Sequence, residues 1–114
     1  MGEPAVIDAA TFGELQASAG AAFVGELIDT FLEEAPPMLA EIKGALAAGR
    51  AEPFRRAAHS LKSNANTFGA LALGQAARDL ELGGLDAGRA EGAIDRLDQA
   101  YARARDALKG LRDD

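Results

Sequence analysis

The sequence predicts an all-α fold, an antiparallel four-helix bundle with a short additional helix at its N-terminus. Hydrophobic residues make up 48% of the 114 residues and aromatic residues only 5%. Ala, Leu, Glu and Arg are abundant and β-branched residues are sparse, which favours helix over strand. Apolar residues recur at three- and four-residue spacing between short glycine-containing breaks. Because composition does not change along this length, residues 1–114 are interpreted as a single domain.

The first two helices are defined by a cap, a glycine and a long apolar pattern. Asp8 is placed to cap a short helix over about 9–18, which ends before Gly20. A long helix is predicted over about 21–48. Pro36-Pro37 allows either one kinked helix or two helices meeting near Ala35. We predict one kinked helix, because the apolar pattern continues in phase. Its predicted inward residues are Phe23, Leu27, Ile28, Phe31, Leu32, Ala35, Leu39, Ile42 and Leu46.

Three further helices follow, joined by short glycine-containing segments. They are predicted over about 52–68, 71–82 and 89–110, with Gly83 to Gly88 as a loop. Short connections favour antiparallel neighbours, and therefore a four-helix bundle. The predicted inward residues are Phe54, Ala58, Leu61, Ala65 and Phe68 in the first helix, Leu73, Ala76, Ala77 and Leu80 in the second, and Ala90, Ile94, Leu97, Tyr101, Ala104, Leu108 and Leu111 in the last.

Composition also excludes several classes of function. The chain has no cysteine, so neither a disulfide framework nor a thiolate metal site is possible. A formal charge of −6 argues against nucleic-acid binding, which depends on accumulated Lys and Arg. Residues Met1 to Thr11 lack the basic and apolar regions of a signal peptide, and no apolar run reaches membrane-spanning length. We therefore expect a soluble cytoplasmic protein without a membrane partner.

The only histidine, His59, lies within the third helix. At about 100° per residue its side chain points roughly 140° away from the apolar side, toward solvent. The segment from Arg50 to Lys62 contains four cationic residues and one anionic residue, a formal charge of +3. The rest of the chain therefore has a formal charge of −9. The residues predicted to share the face of His59 are Arg55, Arg56, Lys62, Ser63 and Asn66.

An exposed, neutral imidazole is a nucleophile near pH 7. Phosphoryl transfer requires mainly positioning and charge stabilisation, which Lys62 and Arg55, three and four residues from His59, are placed to supply. Ser63 is small and leaves the ring open to a partner. These residues equally fit an ordinary solvated helix face, since a lone exposed histidine is usually only a surface residue.

The segment His59-Ser60-Leu61-Lys62-Ser63-Asn64-Ala65-Asn66-Thr67-Phe68-Gly69-Ala70 resembles the signature of histidine-containing phosphotransfer domains of bacterial two-component phosphorelays. In that family His-x-Leu-Lys is followed by small residues and then Gly-Ala. Similar stretches are residues 31–36, 54–58 and 71–81, so the resemblance covers most of the chain. Ser63 stands where many members have Gly, and Asn64 where Ser or Ala is frequent; both remain small.

The resemblance implies that His59 accepts a phosphoryl group, on Nε2, from a receiver-domain aspartate and passes it to another receiver. It implies that Lys62 helps to hold the phosphate oxygens. Glu81 matches a position where the family often has Glu or Gln, and it either accepts a hydrogen bond from Nδ1 or is a plain surface carboxylate. No cofactor and no ATP site of its own are expected, since Mg²⁺ belongs to the partner receiver. We expect a monomer.

Several alternatives remain at this point. A sensor kinase is disfavoured, because no proline follows Pro53 and no nucleotide-binding segment is present. The chain could instead be a phosphotransfer fragment of a larger kinase, although its ends at Met1 and Asp114 suggest a complete product. A helical interaction module that no longer transfers phosphate is the more serious competitor. A hydrolase or metal site lacks the required motifs.

Overall fold

The computed structural model describes residues 6–113, and the regular structure of this part of the chain is entirely helical. The all-α prediction is therefore confirmed. The helices are, in chain order, α1 (Ala9–Ala19), α2 (Ala21–Ala48), α3 (Ala51–Phe68), α4 (Leu71–Arg89) and α5 (Ala93–Asp113).

Helix α1 begins at the predicted cap. The Asp8 carboxylate accepts hydrogen bonds from the backbone N–H of Thr11 at 3.0 Å and from its hydroxyl at 2.6 Å. These hydrogen bonds lower the pKa of Asp8, because they favour its charged form. Helix α1 contacts α2 and α3.

Helix α2 is a single helix that contains both prolines. The alternative of two helices meeting near Ala35 is therefore wrong. Pro36 and Pro37 are exposed, while Ala35 and Leu39 are buried. The missing backbone donors thus fall on the solvent side, where water can satisfy the carbonyls that lose a partner.

The predicted end of the fourth helix at Gly83-Gly84 is confirmed as a break in the helix, whereas the predicted loop from Gly83 to Gly88 and the predicted start of the last helix near residue 89 are wrong. Helical structure resumes after Gly84 and extends to Arg89, so α4 consists of two helical segments joined by a kink, and α5 begins at Ala93 rather than near residue 89. Only Gly84 leaves helical geometry, at φ 68° and ψ −156°. The segment after it resumes the helix because Gly88 fits against the buried ring of Phe54, where a Cβ would lie 2.8 Å from Cζ. Gly84 thus breaks the helix, and the packing of Gly88 on the core makes the following residues helical instead of a loop.

The core lies between four long helices. Helix α3 packs against α2 and α4, α4 packs against α5, and α5 contacts α2. The ring of Phe31 joins three of them: its centroid lies 5.4 Å from that of Phe68 on α3 and 6.3 Å from that of Tyr101 on α5. Aromatic contacts at these separations add to the burial of apolar area.

A few residues predicted to face the core do not. Phe23 is 51% exposed and Leu111 39% exposed, and Ala90 is also exposed. On α2 the buried position is Val24, which lies four residues before Ile28 and therefore continues its apolar side better than Phe23 does. Leu111 lies in the last turn of α5, and Ala90 precedes that helix.

None of the helices within residues 6–113 combines the length and apolarity needed to cross a membrane. In the same residues, no three His, Cys, Asp or Glu side chains converge as metal ligands would. The prediction that the N-terminal segment lacks a signal peptide rests in part on residues 1–5, which lie outside the described residues.

We predict that Gly69→Ala destabilises the fold by about 1–3 kcal/mol. Gly69 has φ +83°, and an added Cβ would lie 2.9 Å from the backbone oxygen of Asp8, whose N–H donates to the Gly69 carbonyl at 2.8 Å. The free energy of unfolding in urea measures the effect. Gly44→Ala is the control: apart from its chain neighbours and the backbone of its own helix, no atom lies within 4 Å of the added Cβ, so we expect a gain of about 0.5–1 kcal/mol. Equal effects of the two substitutions would contradict this account.

Candidate functional site

Helix α3 presents His59 to solvent between residues that fix its backbone. Ala58 and Leu61 are fully buried, whereas the side chain of His59 is 54% exposed. The helix ends at Gly69, whose left-handed conformation closes the last turn. The predicted outward orientation of the only histidine is therefore confirmed.

Glu81 of α4 connects the two principal site residues of α3. Its Oε2 lies 2.6 Å from Nδ1 of His59, and its Oε1 lies 2.8 Å from Nζ of Lys62. The side chain of Glu81 is only 12% exposed. The structure thus brings His59, Lys62 and Glu81 together, and it places Glu81 at the ring rather than on an open surface.

The contact with Glu81 determines how His59 is presented. An ionised carboxylate can only accept hydrogen bonds, so the proton in this contact is on Nδ1 of His59. With that proton on Nδ1, the neutral ring carries its lone pair on Nε2. Glu81 therefore favours the tautomer in which Nε2 is the nucleophilic nitrogen.

Glu81 is held in its ionised form by its neighbours. The Lys62 ammonium contributes most to lowering the pKa of Glu81, and the ring of His59 lowers it further, while burial opposes both. Lys62 and Glu81 form a close ion pair rather than a well-directed hydrogen bond, because the buried Oε1 of Glu81 accepts no hydrogen bond of good geometry within residues 6–113. The lowered pKa keeps the Glu81 carboxylate ionised, and so available to the imidazole as an acceptor, to a lower pH than an ordinary glutamate.

Lys62 is less free than the sequence suggests. Its side chain is 24% exposed and extends across to α4. The predicted role of its ammonium is to hold the phosphate directly, whereas in the structure it neutralises the carboxylate that contacts the imidazole.

The remaining predicted site residues are arranged around this cluster. Arg55 pairs with Glu52 one turn away, with Nε 3.2 Å from Oε2, and this pairing raises the pKa of Arg55 and lowers that of Glu52. Arg56 is exposed and borders a shallow depression next to Ser60. Ser63 is exposed on the face of His59. The guanidinium of Arg55 is thus held by Glu52, and Glu81, the carboxylate that contacts the imidazole, raises the pKa of Arg55 to a smaller extent.

Asn66 and Gly74 form a close contact between α3 and α4. The amide oxygen of Asn66 occupies the space where a Cβ of Gly74 would be, 2.0 Å from that position. Gly74 is not among the predicted site residues, since a glycine within a helical pattern does not indicate which side chain approaches it. A buried glycine at this point allows the two helices to lie close together.

We predict that Glu81 titrates below the ordinary glutamate pKa, and that Lys62→Met raises its midpoint, because Lys62 is the largest cause of the shift. A depressed pKa in the folded state contributes stability above the unfolded-state pKa, which is lost as the pH falls through the folded-state value. The carboxyl ¹³C shift of Glu81 against pH measures the midpoint. Lys109→Met is the matched control, and an unchanged midpoint in Lys62→Met would contradict the assignment.

The comparisons with known proteins agree with this geometry. The family model of the Hpt domain matches residues 26–112. No curated protein matches the chain. The fold is similar to the crystal structure of histidine-containing phosphotransfer protein B (HptB) from Pseudomonas aeruginosa PAO1, with a TM-score of 0.84, 26% sequence identity and coverage of 97% of each chain.

Hpt domains are phosphocarriers of phosphorelays, in which they interact with receiver domains, and they have no ATP site of their own. The match of the family model extends over most of the described residues, including the whole of the His59, Lys62 and Glu81 cluster. This chain belongs to the Hpt domain family and has a histidine phosphotransfer role in a phosphorelay.

Proposed function

We propose that His59 is the phosphorylated residue, and that it accepts the phosphoryl group from the aspartyl phosphate of one receiver domain and passes it to the aspartate of another. The observation that carries the proposal is the 2.6 Å contact between Nδ1 and Glu81, which leaves Nε2 as the free nucleophile on an exposed ring. The family and the similarity to HptB support a phosphorelay role of this kind.

The transfer step follows from this tautomer. The lone pair of Nε2 attacks the phosphorus in line, an N–P bond forms, and the P–O bond to the receiver aspartate breaks, leaving the electron pair on its carboxylate. The ring, which keeps its proton on Nδ1 and now has the phosphoryl group on Nε2, carries a positive charge. Glu81 stabilises that charge, as a buried carboxylate does for the imidazolium of a catalytic triad.

The domain itself supplies position and charge, and its partner supplies the rest. A loose transition state places charge on the phosphoryl oxygens, which a Mg²⁺ ion bound by the receiver would neutralise. In our proposal Lys62 also holds these oxygens during transfer, while Glu81 keeps its contact with the ring. The domain needs no resident cofactor and no nucleotide. The reverse transfer to a second receiver uses the same face.

We also propose where receivers dock and in which form the protein acts. The exposed face around His59 docks receivers through Ser60 and Ser63, small residues that leave the ring accessible. The four long helices form an antiparallel bundle, and the protein acts as a cytoplasmic monomer.

We predict that His59→Gln abolishes acceptance of phosphate. A phosphorylated receiver is incubated with wild type or variant, and acid-labile, base-stable label is followed after the proteins are separated. Because the side chain is 54% exposed, we expect the variant to keep its circular dichroism spectrum. Label of this stability appearing equally on both proteins would disprove the carrier function.

We predict that Lys62→Ala slows transfer by about 100–1,000-fold, the range found when a charge-stabilising group is removed. Glu81→Gln keeps an acceptor for Nδ1 but removes the charge, so we expect about a tenfold loss, which corresponds to about 1.4 kcal/mol. Single-turnover phosphotransfer rates measure both effects. Helicity by circular dichroism is the control. Wild-type rates in both variants would contradict the assigned roles.

A further inference from the structure

A second concave surface lies away from His59, between α4 and α5. This groove, the α4–α5 groove, has a volume of about 670 Å³ and is open along one side. Small apolar residues form its floor, and two arginines of α5 stand at its rim. Its lining includes Ala72, Leu73 and Ala76 of α4 and Arg96, Ala100 and Arg103 of α5.

The groove and the His59 site use different sides of α4. Glu81 and Gly74 face α3, where they meet His59 and Asn66. Ala76 lines the groove, and at about 100° per residue it lies roughly 140° around the helix from Glu81. A molecule in the groove therefore leaves the face of His59 open.

The rim of the groove carries two arginines that form no ion pair with any residue between 6 and 113, although the protein as a whole is acidic. Arg103 forms no ion pair with any residue between 6 and 113, and Arg96 donates only to the backbone oxygen of Glu91, at 3.4 Å. The two arginines are seven residues apart on α5, so they stand on the same side about 10.5 Å from each other along the axis.

We propose that the α4–α5 groove docks an acidic amphipathic helix of a partner protein. Two packed helices with an apolar channel between them form the receiving surface of helix-in-groove recognition. The alanine floor leaves room for aliphatic side chains, and carboxylates seven residues apart on the incoming helix match the spacing of Arg96 and Arg103. Charge complementarity therefore specifies an anionic partner.

This docking goes beyond phosphate transfer, because it holds a partner on the domain while His59 remains accessible. A receiver linked to the docked helix meets His59 at a raised effective concentration, without any change in the transfer chemistry. The groove thus adds a recruitment surface to the carrier.

The test uses a fluorescein-labelled peptide of about 15 residues, a length at which isolated helices begin to form. It has leucines along one face and glutamates seven residues apart. Fluorescence anisotropy with the full chain is expected to show saturable binding, and amide shift changes in an NMR titration are expected around Ala76 and Ala100. Arg103→Glu is expected to weaken binding at least about tenfold. Ala76→Leu fills the groove and is expected to block binding.

Lys109→Glu is the matched control, because it makes the same charge change on α5 without lining the groove, and it should leave binding unchanged. A second peptide with lysines in place of the glutamates should not bind. The proposal is overturned by absence of saturable binding, by equal affinity of Arg103→Glu and wild type, or by shift changes confined to α2 and α3. Self-association abolished by Arg103→Glu would overturn it in favour of a second copy as occupant. Transfer to His59 is measured separately and is unaffected by either result.

Discussion

The close packing of α3 against α4 is the contact on which the candidate site depends. Ala58 and Ala65 of α3 and Ala77 of α4 are fully buried, and Gly74 is buried where the side chain of Asn66 crosses to α4. Such small residues allow two helix backbones to approach, and the side chains of one helix then reach the other. The distance of 2.6 Å between the His59 ring and Glu81 is a consequence of this approach. Bulkier residues along this contact would move α4 away from α3 and separate the carboxylate from the ring.

A single carboxylate, that of Glu81, determines which ring nitrogen of His59 is the nucleophile. Glu81 is largely buried, a position that is unfavourable for a charge unless that charge is paired. Lys62 supplies the counter-charge and His59 the directed hydrogen bond, so the two oxygens of one side chain engage two partners. The carboxylate is thereby kept ionised, which is the state that orients the imidazole. Exposure of the His59 ring and burial of Glu81 are both required. The phosphoryl donor must reach Nε2, and the Glu81 carboxylate must keep the proton on Nδ1.

Helix α4 separates two surfaces of different chemistry. Its side toward α3 carries the carboxylate of the relay site, whereas its side toward α5 is apolar and borders arginines. A helix with two such flanks allows one small domain to combine a reactive face with a surface for a second molecule. The break at Gly84 lies beyond both, and the segment that follows packs through Gly88 onto Phe54 instead of forming a loop.

The sequence alone determined the helical class, the first three helices and the outward orientation of His59. These are local properties, because helical periodicity and capping depend on residues a few positions apart. The sequence also placed Glu81 among the candidates, through resemblance to a family, and left open whether it meets the ring. Only the tertiary structure decided that Glu81 contacts both His59 and Lys62, and that the residues after Gly84 are helical and pack through Gly88 on Phe54. Each of these depends on side chains from distant positions of the chain meeting in the packed core, which no local pattern specifies.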